Sequence, residues 1–274
     1  MTRKTPRILV LEDSRTQARL IARLFETEGF GTEILTSADE LEARDWQADL
    51  PFDAAIVDVH FGDTSGITLL SRIREYWPAI PTIMMTANKT NDYCVLADAR
   101  EHGADIVLRK PFSKTDISNV LADLDSIAET GGRRRHVVVI DDSAAARRIA
   151  VSVLTAFGFR VSSFPSGLDA IQQLSFDFVD VVLTDLNMPG MSGDELIHLV
   201  RDVWGEVGIV AMSSDLKLCR NRAMIDAFVP KPYDGSELHR AIRQAMPPLP
   251  ERRFSPAVTF EADIPDLNVF ELDC

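Results

Sequence analysis

Two α/β domains, each a parallel sheet with helices on both faces, are what this 274-residue sequence predicts. Three observations carry that prediction. First, the chain repeats itself: "RILVLEDSRTQARLIARLFETEGF" at 7–30 and "HVVVIDDSAAARRIAVSVLTAFGF" at 136–159 share one layout of apolar strand, two acids, serine, helical pattern and Gly-Phe. A repeat of this length means duplicated domains, because it is far longer than a solenoid unit. Second, short apolar runs alternate with amphipathic stretches through both copies. Third, the length suits about two domains of roughly 100–150 residues, and a hydrophobic content of 46% gives each its own core.

In the first copy, runs rich in Val, Ile and Leu at 7–11, 53–58, 80–86 and 104–108 read as buried strands, with a weaker one near 31–35. Between them, 14–28, 66–76, 90–101 and 113–128 place apolar residues three and four apart, as in Leu20 with Leu24 and Ile21 with Phe25. That spacing predicts amphipathic helices, with Ser14 and Ser113 standing where N-caps belong. Strand and helix in alternation imply parallel strands joined by crossovers. The second copy predicts strands near 136–140, 160–163, 179–184, 207–212 and 226–229.

The predicted organisation is a first domain over 5–128, a linker over 129–135, a second domain over 136–245 and a tail over 246–274. In "ETGGRRRH", Arg133, Arg134 and Arg135 read as a solvated linker, since no aromatics interleave them as in a nucleic-acid patch. The tail is proline-rich, with scattered apolar residues and several acids, too short and broken for a core of its own. It reads as disordered or as a strip packed on the second domain, with Phe260 to Phe270 the stretch suited to a partner.

The 29 Lys and Arg against 42 Asp and Glu give a net charge of −13, which argues against nucleic acid and anionic membranes as direct partners. The three cysteines, Cys94, Cys219 and Cys274, are far apart and form no CxxC pair, which points to free thiols in a reducing compartment. The N-terminal apolar run is too short for a signal-peptide core, and no later segment has the length of a membrane helix. A cytoplasmic protein is the expectation.

In open parallel sheets, ligands gather outside the carboxyl ends of the strands. The first copy places Glu12, Asp13, Asp58, Thr86 and Lys110 there; the second places Asp141, Asp142, Asp185, Ser213 and Lys231. Taken singly, each reads as a cap, a turn residue or a satisfied hydroxyl. Matching chemistry at equivalent strand ends, twice in one chain, reads as a site. Three clustered carboxylates raise each other's pKa unless a cation joins them, and a hard divalent ion such as Mg²⁺ prefers such oxygens. Asp58 or Asp185 can then act as a nucleophile toward a phosphoryl group, with the lysine neutralising its oxygens and Thr86 or Ser213 bonding the product phosphate.

This set resembles the receiver domain of two-component response regulators: "TDLNMPGMSG", a strand-end Ser and "PKP" in the second copy, and "LED", "VDV", "MMTA" and "RKPF" in the first. The resemblance implies two flavodoxin-like (βα)5 units in tandem, each with strand order 2-1-3-4-5. It implies that Asp13 and Asp142 bind Mg²⁺ directly, Glu12 and Asp141 assist, and the backbone carbonyls of His60 and Asn187 complete the shell. By the same resemblance, Asp58 and Asp185 are phosphoacceptors, Lys110 and Lys231 bind phosphate, and Thr86 and Ser213 draw their loops inward. The implied donor is a sensor histidine kinase or a histidine phosphotransfer protein.

Two departures from the family pattern matter. Three residues before the lysine the family carries Tyr or Phe; here the second copy has Phe228 but the first has Val107. Thr86 and Lys110 lie 24 positions apart but Ser213 and Lys231 only 18, so the helix predicted around 216–224 should be short or distorted. No helix-turn-helix extension, GGDEF-like cyclase signature or GxxxxGK[ST] loop is legible, so no separate catalytic output domain is predicted. The expected role is a phosphorylation-dependent switch that changes protein partners. The alternatives are a phosphoryl relay or sink, and an adaptor in which one receiver only docks.

Overall fold

The computed structural model describes residues 5–43, 52–87, 98, 99, 102–174, 178–188, 193–204, 207–214 and 222–248. The first unit runs β1 (Arg7–Leu11), α1 (Arg15–Thr27), β2 (Gly31–Leu35), α2 (Ala38–Glu42), β3 (Ala54–Asp58), a short hairpin of β4 (His60–Phe61) and β5 (Thr64–Ser65), α3 (Gly66–Tyr76), β6 (Thr82–Thr86), β7 (Ile106–Arg109) and α4 (Lys114–Thr130). The second runs β8 (His136–Ile140), α5 (Ala144–Ala156), β9 (Arg160–Phe164), α6 (Gly167–Leu174), β10 (Val181–Asp185), α7 (Gly193–Trp204), β11 (Gly208–Ser213), a 3-10 turn at Arg222–Met224, β12 (Ala227–Pro230) and α8 (Gly235–Ala245).

Each unit is one five-stranded sheet, in the orders β2-β1-β3-β6-β7 and β9-β8-β10-β11-β12. Every pairing within the two sheets is parallel, so both units have the order 2-1-3-4-5 that the family resemblance implies. The period of two along a strand explains why both faces need covering. In β1, Ile8 and Val10 pack with Ile21, Phe25, Ile117 and Val120 on one face, while Leu9 and Leu11 pack with Leu69, Leu70, Ile73 and Trp77 on the other. Val137 and Val139 of β8 likewise face Leu154 and Leu238, while Val138 and Ile140 face Leu196 and Val200.

The predicted strands fall on observed ones to within one or two residues at each end. Ser14 accepts from the Gln17 N–H, and Ser113 forms a full capping box with Asp116, as N-caps do. In the first unit α2, which is too short to show a period, and the β4–β5 hairpin had no expectation. The helix predicted over 90–101 lies outside the described residues, apart from positions 98 and 99, which are helical. Of the shortened helix predicted at 216–224, the described part is the 3-10 turn at Arg222–Met224. Residues 249–274 also lie outside. Among the described residues no helix is long and apolar enough to cross a membrane.

One reading is corrected. The solvated linker expected at Arg133, Arg134 and Arg135 is a set of buried ion pairs. Arg133 and Arg135 hold Asp180, and Arg134 holds Asp123. Both acids are almost wholly shielded from water, and a buried carboxylate without a cation is too costly to leave unpaired. The acids draw the arginines in.

Candidate functional site

Strand order reverses beside β1 in the first sheet and beside β8 in the second, and it is at these crevices that the strand-end acids meet. In the first unit the Lys110 Nζ lies 2.5 Å from Glu12 Oε2, 2.6 Å from Asp58 Oδ2 and 3.1 Å from Gln17 Oε1. The His60 N–H donates to Asp58 Oδ1 at 3.2 Å, and the Gly62 N–H to Asp13 Oδ2 at 3.0 Å. The hairpin therefore folds back onto the acidic pair, with Gly62 at a φ of +54° making its turn.

The second unit repeats the arrangement. Lys231 Nζ lies 2.7 Å from Asp141 Oδ2 and 2.6 Å from Asp185 Oδ2. The Asn187 N–H donates to Asp185 Oδ1 at 2.9 Å, and its side-chain amide to Ser213 Oγ at 3.3 Å. In both units the lysine N–H bonds the carbonyl of the strand-end hydroxyl residue, Lys110 to Thr86 at 2.7 Å and Lys231 to Ser213 at 2.9 Å. Each lysine precedes a cis proline, Pro111 or Pro232. Thr86 and Ser213 are buried, one residue beyond the partners of Asp58 and Asp185 in the neighbouring strand.

Glu12, Asp13 and Asp58 each offer an oxygen within 4.8 Å of the others, as do Asp141, Asp142 and Asp185. In each set two carboxylates are buried and the middle one is exposed. One ammonium against three carboxylates leaves each pocket with excess negative charge. Burial raises the Glu12 carboxyl above its ordinary range; Lys110 opposes this and Asp58 adds to it. Burial alone would lower Lys110 and Lys231, but their bonds to Asp58 and Glu12, and to Asp141 and Asp185, hold both above the usual lysine value. All the side-chain donors are oxygens, one open to solvent, so the pockets fit a hard divalent cation that keeps some of its water.

His60 has an exposed side chain, as expected of a solvent-facing residue. Four contributors were not foreseen: Gln17, Gly62, Arg147 and Gly66. Arg147 Nη1 donates to the carbonyls of Asp141 at 2.6 Å and Asp142 at 3.1 Å, holding the segment that follows β8. Gly66 packs so closely that an added Cβ would lie 2.2 Å from the Asp58 carbonyl oxygen. The Ser-Gly shared by "TSG" and "MSG" in the two copies was the available signal. Gly66→Ala is expected to cost about 1–3 kcal/mol in urea unfolding, because backbone rather than a flexible side chain must move.

A model of the response regulator receiver domain matches residues 8–122 and again 137–243. The transcription factor SKN7 of Chaetomium thermophilum is 32% identical over 142 residues, which cover 47% of this chain and 18% of that protein. The sensor histidine kinase RcsC of Salmonella typhi is 28% identical over 101 residues, covering 35% of this chain and 10% of that one. The chain thus spans less than a fifth of the length of either relative. A solved CheY-like receiver domain protein from Methanospirillum hungatei is 25% identical, covers 46% of this chain and 98% of its own, and superposes with a TM-score of 0.41.

Proposed function

The chain belongs to the response regulator receiver domain family, which it matches twice, and from that premise we propose a phosphorylation-dependent switch with two acceptor aspartates, Asp58 and Asp185. The observation that carries this reading is the duplicated cluster in which a strand-end carboxylate is bonded to a lysine beside an acidic pair. The units proposed to act are residues 5–128 and 136–245, joined through 129–135.

An oxygen of Asp58 or Asp185 attacks the phosphorus of a phosphohistidine. The P–O bond forms as the P–N bond breaks, and the released imidazole takes a proton from solvent. Lys110 and Lys231 already touch their acceptors, so a short swing of the ammonium carries it to the phosphoryl oxygens. Glu12, Asp13, Asp58 and the His60 carbonyl, and likewise Asp141, Asp142, Asp185 and the Asn187 carbonyl, would hold Mg²⁺, which would further neutralise those oxygens. The hydroxyls of Thr86 and Ser213 then turn toward the phosphate, and the loops that carry them follow. The donor is proposed to be a histidine kinase or phosphotransfer protein, and the output a change of protein partner.

One observation favours a different use of the first receiver. Val107 stands in β7 where Phe228 stands in β12, so at this position the first unit has no ring to swing inward when its hydroxyl shifts. A receiver that is loaded without reshaping its surface is a relay or a sink. In single-acceptor chains, phosphate held only at Asp58 is then expected to leave without altering partner binding, whereas phosphate held only at Asp185 alters it. Partner binding that follows Asp58 alone would reverse the assignment.

Calorimetric titration with Mg²⁺ tests the pockets separately. Two binding events are expected in the parent chain. Asp13→Asn and Asp142→Asn should each weaken one of them by at least about tenfold and leave the other in place. Unchanged affinity in both variants would remove these acids from the metal shell.

A further inference from the structure

Asp123 lies on α4, between residues that face the first receiver's core, yet it is itself only 1% exposed. Its ion-pair partner comes from the segment leading into the second receiver. The Arg134 Nε donates to Asp123 Oδ1 at 2.7 Å, and its Nη2 to the Asn119 carbonyl at 3.0 Å. Arg160, the first residue of β9, also bears on this carboxylate, as does Arg133.

The neighbouring arginines face the other way. Arg133 meets Asp180 in a bidentate pair, at 2.7 and 3.1 Å, and Arg135 reaches it at 2.8 Å. The His136 N–H completes the ring of donors around Asp180 at 2.7 Å. Successive side chains of an extended segment point to opposite sides, so three consecutive arginines serve two acids on two bodies. Gly131, at a φ of +79°, turns the chain, and the Gly132 carbonyl accepts from Ser126 and Thr130, so Arg134 is carried back alongside α4. Phe178, two residues before Asp180, joins the apolar cluster on the face of the first sheet opposite α4, and has the Arg133 guanidinium 5.8 Å from its ring centroid.

We infer that the Asp123–Arg134 pair, with the Arg133–Asp180–Arg135 cluster behind it, clasps the two receivers into one fixed arrangement, the three arginines bridging α4 of the first to the start of β10 in the second. Both acceptor sites are thereby held at a constant separation. The clasp is shielded from solvent, so it resists salt that would screen a surface pair.

The test is a distance distribution between spin labels at the exposed positions Thr27 and Thr155, in a full-length chain whose three cysteines are replaced by serine. A single narrow population is expected. Asp123→Asn should at least double its width, while Asp125→Asn, an exposed acid on the same helix, leaves it narrow. Should Asp123→Asn lose helical signal, Arg134→Gln reads the same quantity and leaves the α4 side chains intact. A parent chain that already shows a broad distribution, or an Arg134→Gln chain as narrow as the parent, overturns the clasp.

Discussion

Asp58→Asn together with Asp185→Asn is expected to reduce phosphoryl incorporation from a small phosphodonor to background, whereas each single variant keeps one group per chain. Asparagine matches aspartate in shape, and its amide oxygen can still accept from Lys110 or Lys231, so the buried strand ends keep their packing. What is lost is the anionic nucleophile: a neutral amide does not attack phosphorus at a useful rate. Glu12 and Asp141 are buried carboxylates of the same pockets, and each already bonds the same lysine. Incorporation that survives in the double variant, mapped to either of them, would move the acceptor one strand over. Mass spectrometry of the intact protein reads the outcome directly as mass additions per chain.

The parts of this architecture legible in the sequence are those whose physics is local or repeated. A run such as "AAIVD" becomes β3 because both faces of a parallel strand are buried, and its closing acid lies where the backbone leaves the sheet. Glu12 and Lys110 are 98 residues apart and still form an ion pair, which local reasoning reaches only because the second copy repeats the order with Asp141 and Lys231. The linker had no such echo. Whether Arg133 is solvated depends on Asp180, 47 residues later, and on a turn at Gly131 that reverses the chain. Nothing in "GGRRRH" alone distinguishes a wet loop from a clasp. Arg74 and Arg201 make the same point. Each tethers the end of its helix to the start of the following strands, through Asp105 and Asp226 respectively, partners 31 and 25 residues away that no local pattern points to.

Asp180→Ala is expected to destabilise the second receiver by about 3–5 kcal/mol at neutral pH, the cost of leaving buried guanidinium groups without their anion. Asp180 is 0% exposed and accepts from Arg133, Arg135 and the His136 N–H, so its removal leaves donors that no water can reach readily. The pH dependence follows from the same contacts. Burial works to raise this carboxyl, but Arg133 above all, then the His136 N–H and Arg135, outweigh it and leave it below the ordinary aspartate value. A depressed carboxylate contributes stability that is present in full above the unfolded-state pKa of about 4 and is lost as pH falls through the folded value. The difference in urea midpoint between parent and variant should therefore be constant from about pH 8 to 5 and shrink below about pH 4. A difference that grew on acidification would mean that burial outweighs the arginines and holds this carboxyl above the ordinary aspartate value. Because β10 begins one residue after Asp180 and ends at Asp185, the variant also loosens the strand that presents the second acceptor. A loss of Asp185 labelling that outlasts restored folding at low temperature would show that this buried anion positions the acceptor strand as well as stabilising the fold.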